Sequence, residues 1–251
     1  MLLSRDPALS VEKQTEEIED LIREGVSVIF LNPVDFERMG PALEAARAAH
    51  IPVITIDTNV QNSDFVASTI ETDNYAAGRA CAEHLLQHAD HANILLLKHS
   101  SAHSAVDRIT GFRQTIAGHP GFTIVDEAEC DGQLERAMPA MQEMLSRHPE
   151  ADTVMALNDP SALGAMAALE SCGRLQSFRV YGVDGVPETK ELILAGRMTA
   201  TAAQSPRRIG RLAAQQAYRL LDGEPVDRLI QLPTHLWTQE NLTPAKTKEW
   251  D

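Results

Sequence analysis

The sequence predicts an α/β protein built on parallel sheets, and three observations predict it. Short apolar runs alternate from end to end with amphipathic, helix-like stretches, the pattern of repeated βαβ units. Runs such as VSVIFL (26–31), IPVITI (51–56) and TVMAL (153–157) are apolar on both faces, as central parallel strands are. Run after run also ends in a hydrogen-bonding side chain: Asn32, Asp57, Asn158, Asp184 and Gln204. The carboxyl edge of a parallel sheet is where ligands bind in open α/β folds. A strand edge must be polar somewhere, but this many Asn, Asp and Gln at corresponding edges exceed what helix capping requires. Such a group suits a neutral, hydroxyl-rich ligand, because carboxylates accept hydrogen bonds and amides both donate and accept.

In chain order, Asp6-Pro7 and Ser10 mark a helix start, with Val11, Ile18, Leu21 and Ile22 as its apolar stripe and Gly25 as its end. Val26–Leu31 reads as a strand and Glu37–Ala49 as a helix; Ile51–Ile56 and Phe65–Ile70 read as extended. Asp73-Asn74 caps a helix over Tyr75–Gln87, followed by strand Asn93–Leu97, a small-residue loop Ser100–Ser104 and a helix over about Ala105–Ala117. Strand Phe122–Asp126 and helix Leu134–Arg147 follow, with Pro139 predicting a kink or a late start. Thr153–Leu157 then ends in Asn158-Asp159-Pro160, where a helix begins. Here Asn158 reads as the ligand-facing side chain and Asp159 as the helix cap. Strand Arg179–Val183, helix Pro187–Ala195, strand Met198–Ala203, helix Pro206–Leu221 and late strands at Leu229–Leu232 and Leu236–Thr238 complete the chain.

The 251 residues suffice for one large or two ordinary domains, and the 43% hydrophobic content supplies real cores. Net charge is −14, which argues against a nucleic-acid surface, since phosphate binding needs clustered Lys and Arg. Aromatics are only 4% of residues, so stacking surfaces are scarce. The three cysteines, Cys81, Cys130 and Cys172, form no CxxC pair and read as buried or half-buried thiols. No apolar run is long enough for a membrane helix, and MLLSRDPALS lacks a signal-peptide pattern. His84, His88 and His91 fall at i, i+4 and i+7, a spacing that can hold zinc, but with no partner ligand nearby they read as a solvated helix end. No metal and no cofactor is expected. Glu16, Glu17, Glu19 and Asp20 form a charge run that reads as a solvated face.

With those edges in view, the chain resembles the ribose/galactose-type periplasmic sugar-binding proteins of ABC transporters, from Asp6 to about Asn241. The resemblance rests on GVSVIFLNPVD (25–35), IPVITID (51–57), TDNYAAG (72–78), VDRITGF (106–112), ALNDPSALGA (156–165), VYGVDG (180–185), TATAAQSPRRIG (199–210) and TQENL (238–242). It implies a periplasmic binding protein type I fold: two Rossmann-like lobes with parallel sheets, joined by a three-crossing hinge, that close on ligand in the cleft. Lobe one would be residues 1–72 plus 205–233, and lobe two 73–204 plus 234–251. Matched by position, the ligand contacts would be Asn32, Asp57, Thr58, Arg108, Asn158, Asp184 and Gln204, with Thr58 standing where the family often has Arg. An Arg opposed by two carboxylates makes a directional cage for a polyol.

The same resemblance implies a sugar ligand, permease subunits as partners, a monomer, no nucleic acid and a periplasmic location. It also implies features not found in the sequence. The family's aromatic positions in lobe two fall on Gly132 and Val183. The first strand and helix of lobe one, and the signal peptide before them, have no counterpart. An upstream start, a gene remnant or a substitute for the strand would each account for this. Because that strand lies inside the sheet, its loss predicts two unpaired strands and an open core face.

An alternative on the same fold is the effector-binding core of a LacI-type regulator that has lost its DNA-binding segment. An enzyme is not expected: no GxGxxG follows a strand, and no P-loop or GxSxG is present. Asp107-Arg108 near His103 and Ser104 reads as loop polarity, not as catalytic machinery.

Overall fold

The computed structural model describes residues 2–61 and 63–250. Met1 and Asp251, at the ends of the expected lobes, lie outside the described residues. The elements in order are α1 (Val11–Arg23), β1 (Ile29–Leu31), α2 (Gly40–Ala48), β2 (Val53–Ile56), a short 3₁₀ turn, β3 (Val66–Thr72) and α3 (Asn74–His88). Next come β4 (Ala92–Lys98), α4 (His103–Ile116), β5 (Phe122–Glu129), α5 (Leu134–Arg147), β6 (Thr153–Ala156) and α6 (Asp159–Ser171). A second 3₁₀ turn leads to β7 (Arg179–Asp184), α7 (Pro187–Leu194), β8 (Ala200–Ala203), α8 (Pro206–Leu221), β9 (Leu229–Leu232) and β10 (His235–Thr238).

The chain divides into two compact units: Met1–Thr72, Ser101–Ser104 and Pro206–Leu232 form the first, and Asp73–Ser100, Ala105–Ser205 and Pro233–Asp251 the second. Unit 1 holds a four-stranded, all-parallel sheet in the order β1-β2-β3-β9. One face packs on α1 and α2 through Val11, Ile18, Ile29, Leu31, Leu43, Ala46 and Val53. The other packs on α8 through Ile54, Ile70, Ile209, Ala213 and Leu232. Burying an aliphatic side chain contributes about 1.5–3 kcal/mol, so these two layers account for the unit's cohesion.

The expected pair of unpaired strands is not found. β1 joins β2 directly, with Ile29 opposite Val53, Phe30 opposite Ile54 and Leu31 opposite Thr55. Two adjacent strands of β-branched and apolar residues satisfy one another's backbone groups, which is cheaper than leaving either edge bare. The open face is found in part: Phe30, on the α8 side of β1, is 38% exposed. β1 is also shorter than the apolar run. Val26 donates its amide to Leu21 and Gly25 takes φ +72°, so the run's first residues close α1 as a left-handed cap instead of joining the sheet. α2 likewise starts late, because Asp35 Oδ1 accepts the amides of Glu37 (2.9 Å) and Arg38 (3.1 Å) and holds a turn there.

Unit 2 holds a six-stranded sheet in the order β10-β8-β7-β6-β4-β5, parallel except for the β10–β8 pair. Its central strands are fully buried, from Ile94–Leu97 to Val154–Ala156. Pro139 sits inside α5 without ending it. Gly78 of α3 and Gly111 of α4 lie where an added Cβ would overlap the carbonyl oxygens of Arg108 and Tyr75. Only glycine permits that approach, and it presses the two helices together beside Arg108. Cys81 and Cys130 are buried, whereas Cys172 is exposed where α6 ends; all three are free thiols. No helix among the described residues is long and apolar enough to cross a membrane.

Candidate functional site

In unit 2 the parallel register brings the carboxyl ends of β6, β7 and β8 to one edge, with Asp184 opposite Ala203 and so next to Gln204. Arg108 of α4 reaches this edge and is only 3% exposed. A buried guanidinium must be paired, and this one is. Its Nε donates to Asn74 Oδ1 (2.9 Å), and its Nη1 donates to the Leu157 carbonyl (3.0 Å) and to Asp184 Oδ1 (3.4 Å). Gln204 Nε2 donates to the same Asp184 oxygen at 2.8 Å. Arg108, Asp184 and Gln204 are thus one hydrogen-bonded group.

Asn158 stands on the neighbouring strand end. Its Oδ1 accepts the Ser161 amide (3.0 Å), making it the N-cap of α6, and its Nδ2 donates to the Gly132 carbonyl (3.0 Å). Asp159 is therefore not the cap. It is fully buried, and its carboxylate accepts from the amides of Gly185 and Val186 (both 2.9 Å) and from the hydroxyls of Thr189 (2.6 Å) and Thr201 (2.7 Å). Burial, with the Asp184 charge beside it, pushes its carboxyl up to about 7 despite those donors. Gly182 makes room for it, since a Cβ there would overlap Asp159 Oδ1.

The same division of labour occurs on α3. Asp73 caps it by accepting the Ala76 amide (2.9 Å), and Asn74 turns inward to Arg108. The sequence reading missed Asn74 as a site residue. The signal was there: Asp73-Asn74 and Asn158-Asp159 are matching polar pairs, and in each the first residue caps while the second reaches in.

In unit 1, Asn32 follows β1 with an exposed side chain, and its carbonyl accepts from Gln14 Nε2 at 2.8 Å. Gln14 Oε1 accepts the Val34 amide at 2.8 Å, so one buried amide side chain clamps the turn from both sides; this residue was also missed. Asp57 follows β2 with φ +68°, and the Thr58 amide bonds back to the Ile56 carbonyl at 2.8 Å, a strained γ-turn. Thr58, expected to meet ligand, is 2% exposed and its hydroxyl accepts the Ser104 amide (3.0 Å), which ties down the 101–104 segment.

His84 and His88 stack at 4.0 Å, and His84 Nδ1 meets the Tyr181 hydroxyl at 3.0 Å. Burial lowers the His84 pKa. His91 lies beyond the end of α3. Among the described residues no group of three His, Cys, Asp or Glu side chains is placed to hold a metal ion.

Parallel sheets with polar carboxyl ends and a buried arginine held through Nε and Nη1 among them have the layout of a solute-binding module. The chain belongs to the periplasmic binding protein domain family, whose profile matches residues 2–225. It is 33% identical to the ribose import binding protein RbsB of Salmonella typhimurium over 216 residues, 85% of this chain and 72% of that one. It is also 33% identical to the Bacillus subtilis protein of the same name, over 91% of this chain and 74% of the relative. Among solved structures, an ABC transporter solute-binding protein from Mycobacterium smegmatis with bound glycerol superposes with a TM-score of 0.88 at 36% identity, covering 95% of this chain and 83% of that one. The family is one of solute-binding proteins, not enzymes. The LacI-type alternative finds no support among these relatives.

Proposed function

We propose that the chain captures a monosaccharide or similar polyol and hands it to the permease subunits of an ABC transporter, acting in the periplasm as a monomer. The two units are its two lobes. The Arg108–Asp184–Gln204 group carries this reading. Nε and Nη1 of Arg108 are committed to the protein, so the guanidinium plane is fixed before ligand arrives and Nη2 is set to donate to a hydroxyl or ring oxygen. Asp184 accepts from hydroxyls, and Gln204 and Asn158 add amide donors and acceptors. Asn32 and Asp57 of unit 1 add further contacts. Thr58 serves by holding the 101–104 segment. The names of the relatives support a sugar or polyol: ribose for RbsB, and xylitol for a Mycolicibacterium smegmatis protein 27% identical over 78% of this chain.

A thermal-shift screen against pentoses, hexoses and polyols tests the reading. Ligand at a hundred times its Kd stabilises the native state by about 2.7 kcal/mol, a shift easily read. At least one sugar should raise the melting temperature, and Arg108→Ala should abolish the rise. If no sugar shifts the wild-type protein, the reading is wrong.

A further inference from the structure

We propose that Asp159 is a positioning residue for ligand capture, which sets the direction of Asp184 by holding the turn that follows it. This rests on the sugar-binding reading of the same site. Asp184 has φ +132°, a conformation that side chains other than glycine rarely adopt, and Gly185 after it has φ +74°. A non-glycine residue at that φ is strained, and a hold from outside the turn offsets the strain. Asp159 supplies it, taking the amides of the next two residues, Gly185 and Val186, on one carboxylate oxygen, Oδ2.

The hold is itself fixed from two further elements. Thr189 of α7 donates to Oδ2 and Thr201 of β8 donates to Oδ1. Gly185 has no space for a side chain, because a Cβ would come within 2.6 Å of the Ala203 Cβ. The carboxylate therefore ties β6–α6, the β7–α7 turn and β8 at a single point. Asp184 leaves that point with Oδ1 aimed at Gln204 Nε2 and Arg108 Nη1. Asp159 is fully buried beneath this edge and acts through Asp184, not on the ligand.

The test uses Asp159→Asn, which keeps one oxygen for the two amides but sets an NH2 group against a threonine hydroxyl. D-ribose is the titrant. Its affinity should fall at least tenfold in Asp159→Asn, and Asp184→Ala should lose binding further. In the Asp184→Ala background, adding Asp159→Asn should change the residual affinity less than twofold, because its effect passes through the missing side chain. A purely structural role would give additive losses and overturn the proposal. A readout without ligand guards against the sugar reading itself failing. Amide hydrogen exchange at Gly185 and Val186 should quicken at least tenfold in Asp159→Asn while β4 exchanges as in the wild type. Unchanged exchange at those two amides would overturn the proposal whether or not D-ribose binds, and absence of wild-type binding with quickened exchange would overturn only D-ribose as ligand.

Discussion

Asp57 in unit 1 and Asp184 in unit 2 both stand at the carboxyl end of a parallel strand with positive φ, +68° and +132°. They are held differently. Around Asp57 the backbone bonds to itself, Thr58 to Ile56, and the neighbouring strand end is clamped by the neutral amide of Gln14. Around Asp184 the clamp is a buried carboxylate with donors from two backbone amides and two threonines. A neutral clamp is insensitive to pH and costs little desolvation. A charged one makes stronger bonds to its donors but couples the turn to protonation. Unit 2 also relies on glycine-to-backbone contact between α3 and α4, whereas Gly25 in unit 1 has nothing within 4 Å of an added Cβ.

The largest effect should come from Gly78→Ala. A methyl group there overlaps the Arg108 carbonyl, and unit 2 should lose about 3 kcal/mol of stability, measured by denaturant unfolding. Gly25→Ala, strained only by its φ, should cost about 1 kcal/mol in the same assay. Equal losses would erase the contrast in packing.

Second is the pH dependence of stability. The folded-state pKa of Asp159 is raised, from an ordinary 3.8 to about 7, by burial and by Asp184; the Cys81 thiol also lies within its field. The folded protein therefore holds this proton more tightly than the unfolded chain does. The stability it contributes is fully present below about pH 4 and lost as pH rises through about 7, on the order of a few kcal/mol. Asp159→Asn should flatten the stability profile across that window. An unchanged profile would show that some other group titrates there.

Gln14→Ala should have a smaller effect, about 1–3 kcal/mol, because it leaves the Asn32 carbonyl and the Val34 amide without their clamp. That loss should be the same at pH 5 and pH 8, and a pH-dependent loss would contradict the neutral-clamp account.

The alternation of strands and helices was readable because apolar runs and caps repeat with clear punctuation, and α5 and β9 fall where the pattern puts them. That Arg108, Asp184 and Gln204 meet at one sheet edge was readable from strand ends and motif position. What escaped was the layer behind them. Asn74, Asp159 and Gln14 act across long sequence separations, and neither polar pair taken alone shows which residue caps and which turns inward; only the likeness of 73–74 to 158–159 does. The direct pairing of β1 with β2 escaped for a similar reason, since pairing partners are set by tertiary closure and not by either strand's own sequence.

In the proposed function Arg108 presents a preset guanidinium to a sugar. Titration calorimetry of the wild-type protein and Arg108→Met with D-ribose tests it most directly. The wild type should bind saturably and one to one, and the variant at least about a hundredfold more weakly, as expected for loss of a charge-assisted pair. Binding of equal strength by both proteins would contradict it.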